Sequence, residues 1–410
     1  MIVKSSTKNA SKQKEIVLVM QGGGSLGAYE CGVCKVLAKH DIEFDIIAGT
    51  SIGAINAAII AAGYTKEDGI RSSAKRCEDF WLELAENVML PTFLSYKERS
   101  QFAACYSLFY GNQKAFTPLW VKPGGLPYYY FFNSPYLYDI SRLKETIAKY
   151  VDFRKLGKSE NRKHLQVKDI NNIDQVGNVS NDTDKSDNNS MPRLILTATN
   201  VQTGEPVIFD SNNTDITANH IIASAGYAVY GLPWTRLNDK YFWDGAFVHN
   251  TPLKAVTKLS KAKKIVYVSD VFPSIQEKLP TSMPETYHRI RDLLFTDRSI
   301  QENKEISDTI NEYLSLIEQM HEVITSDIRN KQKDKKLKLK LDKIEAEYSK
   351  LQNNKLGLLM EKIIHIQRNE RPGRHFIFED ADFSIDTIKE LIKQGEEDAE
   401  DALIGIDAKP

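Results

Sequence analysis

The chain has 410 residues, and its 54 lysines and arginines offset 55 aspartates and glutamates to a net charge of −1, which leaves no basic footprint for nucleic acid. Apolar residues make up 41% and charged residues 27%, so a core can be packed and a globally disordered chain is excluded. Four cysteines are too few for a disulfide scaffold, and no uncharged apolar run reaches the roughly 18 residues of a membrane helix.

Met1 to Glu15 is rich in lysine and serine with no apolar stretch after its charges. It reads as a flexible tail over 1–14 rather than a Sec signal, so the expectation is a cytoplasmic chain, at most peripheral to a membrane. Ile16 to Met20 is a short β-branched run, a buried strand ended by Gly22, Gly23 and Gly24. From Ser25 to His40 apolar residues recur at helical spacing; Cys31 and Cys34 fall there as small core residues, with no second pair for a zinc site. Phe44 to Ala48 is a second strand, and Ile52 to Ala62 an apolar helix ending at Gly63. Two strand–helix units in succession predict a parallel sheet covered by helices.

Residues 65–138 read as a helical and loop insertion whose end, Leu126 to Tyr138, is dense in aromatics: either a wall or lid of an apolar pocket, or packing of the insertion itself. Ser141 to Tyr150 reads as a helix, and the segment of about 177–190 as a disordered surface loop. Strands resume at Arg193–Thr199, Pro206–Phe209, Tyr241–Trp243 and Lys264–Ser269, with a helix ending over Ile221–Ala225. Beyond about residue 275 the chain turns charged. Residues 285–365 read as mostly helical, followed by a short strand at His375–Phe378 and a last helix near Ile385–Leu403. The six lysines of Lys331–Lys340 would either meet anionic head groups or form a solvated face.

Gly22-Gly-Gly-Ser-Leu-Gly27 satisfies G-x-G-x-x-G between strand and helix, but the second strand ends in Ala48-Gly49-Thr50-Ser51 without the acid that a dinucleotide site requires. Gly49-Thr-Ser-Ile-Gly53 is G-x-S-x-G between strand and helix, where a tight turn projects a serine Oγ from the sheet edge. The glycine run would lie beside that turn, leaving backbone N–H groups to hold an oxyanion. Ser51 then needs a base. His249 is only five residues past Asp244, too close for the usual Ser…Asp…His order. His40 and His220 sit in helical stretches, His164 in a polar linker, and His288, His321, His365 and His375 in the C-terminal region, none within a motif. Trp243-Asp-Gly-Ala246 instead puts an acid at a strand end.

Taken with Asn250-Thr-Pro252, and with Ala223-Ser-Ala225 and Pro233 before Asp244, these motifs resemble the patatin-like phospholipases over roughly residues 15–275, in a bacterial branch with a C-terminal extension. The resemblance implies a three-layer α/β/α sandwich with a central, mostly parallel sheet, followed by a mainly helical region over 276–410. It implies Ser51 as nucleophile, Asp244 as base, Gly22, Gly23 and Gly24 as oxyanion loop, Gly49 and Gly53 as the glycines of the elbow, and neither metal nor cofactor. Leu26 stands where many members carry Arg or Lys, which moves the expectation from phospholipid toward acyl ester. Ala246 stands for the second glycine of Asp-Gly-Gly. The expected activity is lipid acyl hydrolysis through a Ser–Asp dyad, with an acyltransferase on the same dyad, or a non-catalytic binding protein on this fold, as the rival readings.

Overall fold

A computed structural model describes residues 14–86, 93–121, 126–157, 191–257, 262–276, 278–296, 360–369 and 378–407, with isolated positions between them. The expected tail up to residue 13, the loop of about 177–190, the lysine run 331–340 and His164, His321 and His375 lie outside the described residues.

The first strand, β1 (Lys14–Met20), pairs in parallel with β2 (Ile46–Thr50), Met20 lying opposite Gly49. Between them runs α1 (Gly27–Lys39), and after β2 comes α2 (Ile52–Gly63). The insertion contributes α3 (Arg71–Leu84), α4 (Tyr96–Tyr110), a two-residue pairing of β3 (Thr117–Pro118) with β4 (Tyr138–Asp139), and α5 (Pro127–Asn133); α6 (Ser141–Tyr150) follows. The sheet resumes with β5 (Arg193–Asn200) and β6 (Pro206–Asp210), then α7 (Ala218–Ala225), β7 (Thr235–Leu237), β8 (Lys240–Asp244), α8 (Leu253–Thr257), β9 (Lys263–Asp270) and α9 (Met283–Phe295). It closes with β10 (Met360–Gln367) and α10 (Ile385–Asp407).

Among the described residues the main sheet has eight strands, in the order β10-β9-β1-β2-β5-β8-β7, with β6 also on β5. The run β10-β9-β1-β2-β5 is parallel, and β6, β7 and β8 pair antiparallel. Alternation along β1 sends Leu18 and Met20 into a core shared with α1, α2, α3 and α10. Val17 and Val19 face a smaller core closed by Leu253 and Val256 of α8. The result is the three-layer sandwich with a mixed, mostly parallel sheet. Cys31, Cys34 and Cys77 are buried, and Cys105 is exposed. No helix among the described residues is long and apolar enough to cross a membrane.

The C-terminal region departs from the sequence reading. Residues 360–365, read as helix, belong to β10, which extends the sheet beyond β9. Its charges fit an edge strand: Lys14 Nζ reaches Glu361 Oε1 at 2.6 Å, and the strand buries Met360, Ile364 and Ile366. Phe378 precedes a 3₁₀ turn over Glu379–Ala381 rather than ending a strand. Helix α10 lies across α1, with Ile388, Leu391, Ile392 and Ala399 in the main core.

Candidate active site

Register brings the two motifs together. Thr50, the last residue of β2, lies opposite Thr197 of β5, and Ala198, one residue further along β5, lies opposite Asp244 at the end of β8. Two strand pairings therefore carry Asp244 to the end of the strand from which Ser51 projects. The threonine hydroxyls meet at 2.6 Å across the β2–β5 pair, tying the two strand ends.

Ser51 has φ 57° and ψ −125°, a left-handed conformation that is costly for a residue with a Cβ. The surroundings hold it there. A Cβ on Gly49 would stand 2.2 Å from the Gly53 carbonyl oxygen, and one on Gly53 would stand 2.6 Å from the carbonyl oxygens of Met20 and Gln21. Both flanking positions of the elbow thus require glycine for close backbone approach. The Ser51 N–H donates to Ser224 Oγ at 3.0 Å, and Ser224 donates to the Thr197 carbonyl at 2.6 Å, so α7 braces the turn against β5. The first residues of α2 follow directly, and the positive end of its dipole faces Ser51.

Ser51 Oγ donates to Asp244 Oδ2 at 2.5 Å. Asp244 Oδ1 accepts from the Ala246 N–H at 2.8 Å in the 3₁₀ turn that follows. Asp244 is fully buried, and that burial pushes its carboxyl up to about 7, against the opposing pull of its bonds to Ser51 and Ala246. Ala246 adds no polar group, and its backbone supplies the bond that orients the acid.

Gly22, Gly23 and Gly24 line the same cavity as Ser51 and Asp244. The Gly22 N–H is taken up by the Asn250 carbonyl at 3.3 Å, whereas those of Gly23 and Gly24 have no acceptor among the described residues. Only two of the three expected N–H groups are therefore open. Gln21, just before the loop, fixes it from behind: its side chain donates to the Phe295 carbonyl at 2.8 Å and accepts from the Val271 N–H at 2.8 Å.

The cavity has a volume of about 130 Å³, far above the ~10–15 Å³ that one water occupies. Beyond the polar end its wall is apolar, with Ile55, Leu84, Leu108, Phe116, Leu143 and Phe383. Of the aromatic run, Tyr138 reaches this wall, while Leu126, Tyr129, Phe131 and Phe132 are exposed. Those four side chains thus neither wall the cavity nor pack in the core, whereas Tyr138 is buried; the side chain of Tyr128 lies outside the described ones.

None of the described histidines lines the cavity. His220 closes the N-terminal cap of α7, with Nδ1 2.9 Å from Thr217 Oγ1. His40 Nε2 is 2.9 Å from Glu400, His365 Nε2 is 3.1 Å from Asp270, and His288 Nδ1 is 3.1 Å from Arg291. His249 lends its backbone carbonyl to Thr50 Oγ1 at 3.3 Å.

Several residues of the site carried no role in the sequence reading. Ser224 and Asn250 were visible only as members of motifs. Phe295, Asp380, Ala381 and Phe383 come from the C-terminal region, and no local pattern marks them as cavity residues. Asp380 accepts from the Tyr230 hydroxyl at 2.9 Å and from Arg291 at 3.1 Å, closing the polar rim.

Among curated proteins, the chain is 38% identical over 72 residues to lysophospholipase NTE1 of Meyerozyma guilliermondii, covering 17% of this chain and 5% of that protein. It is 48% identical over 48 residues to lysophospholipase nte1 of Aspergillus terreus, 12% of this chain and 3% of that one. The chain thus matches a small part of these relatives' length. Among solved structures, VipD from Legionella pneumophila aligns over 96% of this chain and 67% of its own, with TM-score 0.39 and 13% identity. The type III effector ExoU aligns over 97% and 54%, with TM-score 0.33 and 11% identity. The model of the Patatin family, described as patatin-like phospholipase, matches residues 18–257, more than half of the chain, and the chain belongs to that family.

Proposed function

We propose that the chain is a serine lipid acyl hydrolase of the phospholipase A or lysophospholipase kind, working through Ser51, Asp244 and an acyl-enzyme. The observation that carries this reading is the buried 2.5 Å hydrogen bond from Ser51 to Asp244 at the polar end of an apolar cavity. A carboxylate with its ordinary pKa of about 4 is a weak base. Burial, by pushing Asp244 up to about 7, supports its use near neutral pH. Membership of the patatin-like family supports a lipid ester as substrate.

In this mechanism Asp244 takes the Ser51 proton as Oγ attacks the acyl carbonyl carbon. The open N–H groups of Gly23 and Gly24, with the first N–H of α2, receive the oxyanion. The intermediate collapses, the alcohol leaves with the proton held by Asp244, and the acyl group remains on Ser51. Water then repeats the attack with Asp244 as base and releases the acid. The apolar wall suits the acyl chain. Leu26 is fully buried and offers no charge to a phosphate, so the reading specifies the acyl ester rather than the head group.

The test is product analysis with a mixture of lipid esters, wild type beside Ser51→Ala. Free fatty acid is expected from the wild type alone; release by a folded Ser51→Ala protein at a comparable rate would remove Ser51 from the mechanism.

A further inference from the structure

Asn250 closes the cavity beside the oxyanion loop and is 9% exposed. Its side-chain amide is oriented by two carbonyl groups: Nδ2 donates to Gly22 at 3.1 Å and to Phe295 at 3.4 Å. Two acceptors on one side require the nitrogen there, so Oδ1 must face the other way. That oxygen is buried and has no hydrogen-bond partner among the described residues. A buried acceptor left unpaired is costly, and a native site that keeps one has a reason for it. It also stands close to the chemistry. The point at which a Cβ on Gly22 would sit is 2.5 Å from Asn250 Oδ1 and 2.8 Å from Ser51 Cβ, so those two atoms lie within the sum of these distances.

We propose that Asn250 is a further catalytic residue, whose Oδ1 accepts a hydrogen bond from the water that hydrolyses the acyl-enzyme. This rests on the serine hydrolase reading and sharpens it. Water brings two O–H groups to the acyl-enzyme. One gives its proton to Asp244 as the oxygen adds to the acyl carbon. The other stays on the oxygen, becomes the hydroxyl of the released acid, and needs an acceptor in a cavity whose lining is mostly apolar. Asn250 Oδ1 supplies it. When the tetrahedral intermediate collapses, the bond from carbon to Ser51 Oγ breaks and Oγ recovers the proton from Asp244. An alcohol has a single O–H, which Asp244 takes, so its carbon substituent would face Asn250 Oδ1 and leave that oxygen unpaired. The residue therefore selects water over alcohols as acyl acceptor and makes the site a hydrolase rather than a transferase.

The experiment measures how the acyl-enzyme partitions between free acid and methyl ester in buffers containing methanol, using p-nitrophenyl and phenyl esters of one fatty acid. A common ratio for both leaving groups in the wild type is the mark of a shared acyl-enzyme; a ratio that depends on the leaving group would sink the hydrolase reading itself, not this proposal alone. Given a common ratio, Asn250→Ala, and Asn250→Ser with its shorter hydroxyl still a donor toward Gly22, are expected to raise methyl ester over acid by on the order of tenfold, the worth of one such hydrogen bond. Asn250→Asp keeps an oxygen in the place of Oδ1 and loses the donor, and is expected to retain the wild-type ratio. A residue that only positions the Gly22 loop would change how fast the acyl-enzyme forms and leave its partition alone. An unchanged ratio in whichever of the Ala and Ser variants folds, including no ester from either, would overturn the proposal.

Discussion

Asp244 is fully buried with its carboxyl pushed up to about 7, whereas in the unfolded chain it titrates near about 4. The folded state therefore holds this proton more tightly than the unfolded state. The stability it contributes is complete below about pH 4 and is lost progressively as pH rises through about 7. Asp244→Asn removes that loss. Its oxygen can keep the Ala246 N–H bond while its nitrogen donates to Ser51 Oγ. Thermal melts should show the variant above the wild type at pH 8, with the gap narrowing steadily from about pH 7 to about pH 4; a gap independent of pH would mean that Asp244 is not titrating in this range. The same variant should lose as much turnover as Ser51→Ala, and wild-type kcat/KM should rise with pH through about 7. His220→Ala and His249→Ala should each cost less than about tenfold, or 1.4 kcal/mol of barrier, because neither ring lines the cavity. The Ser51–Asp244 pair was legible because its motifs concentrate strand ends, glycines and an acid within a few positions. Asn250 and Ser224 were quoted in the sequence without a role, because their partners, Gly22 and Phe295 for one and Ser51 and Thr197 for the other, are remote in the chain.

At the scale of elements, α1 follows the glycine loop of Gly22, Gly23 and Gly24 and meets α10 backbone to backbone. A Cβ on Gly32 of α1 would stand 1.9 Å from the Ile392 carbonyl oxygen, and one on Gly395 of α10 would stand 2.0 Å from that of Tyr29. No rotamer change relieves a clash between backbones, so the helices would have to separate. Gly395→Val should therefore destabilise the chain by at least about 3 kcal/mol, the upper end of overpacking costs, read from the urea midpoint; a midpoint within experimental error of the wild type would show that the crossing is looser than described. Periodicity located α1, α2, α6 and α10 well, and β-branched runs located β1, β5 and β9. The edge strand β10 escaped because Met360-Glu-Lys-Ile-Ile-His-Ile-Gln367 carries charge where a central strand does not, and its identity as a strand comes from pairing with β9. The three-residue β7 escaped because so short a strand has no period; it too is defined by its partner, β8.

For the whole molecule, described residues on both sides of position 275 contribute to the sheet, the core and the cavity. The family match ends at 257, yet β10 completes the sheet beside β9, α10 covers α1, and Asp380, Ala381 and Phe383 wall the cavity. Removing residues 276–410 would expose the flank of β9 and the apolar face of α1. The truncated chain is expected to be insoluble or to lack a cooperative melt, where a soluble, active 1–275 fragment would show the C-terminal region to be an appendage.

The central claim, that acyl transfer passes through Ser51 with Asp244 as its base, is tested most directly by mass spectrometry of protein quenched in acid during turnover of a long-chain monoacyl glycerophospholipid. The account predicts one added acyl group on the peptide that carries Ser51 in the wild type, and none in Ser51→Ala or Asp244→Asn. An acyl group on another residue, or undiminished hydrolysis by Ser51→Ala with no adduct at position 51, would contradict it.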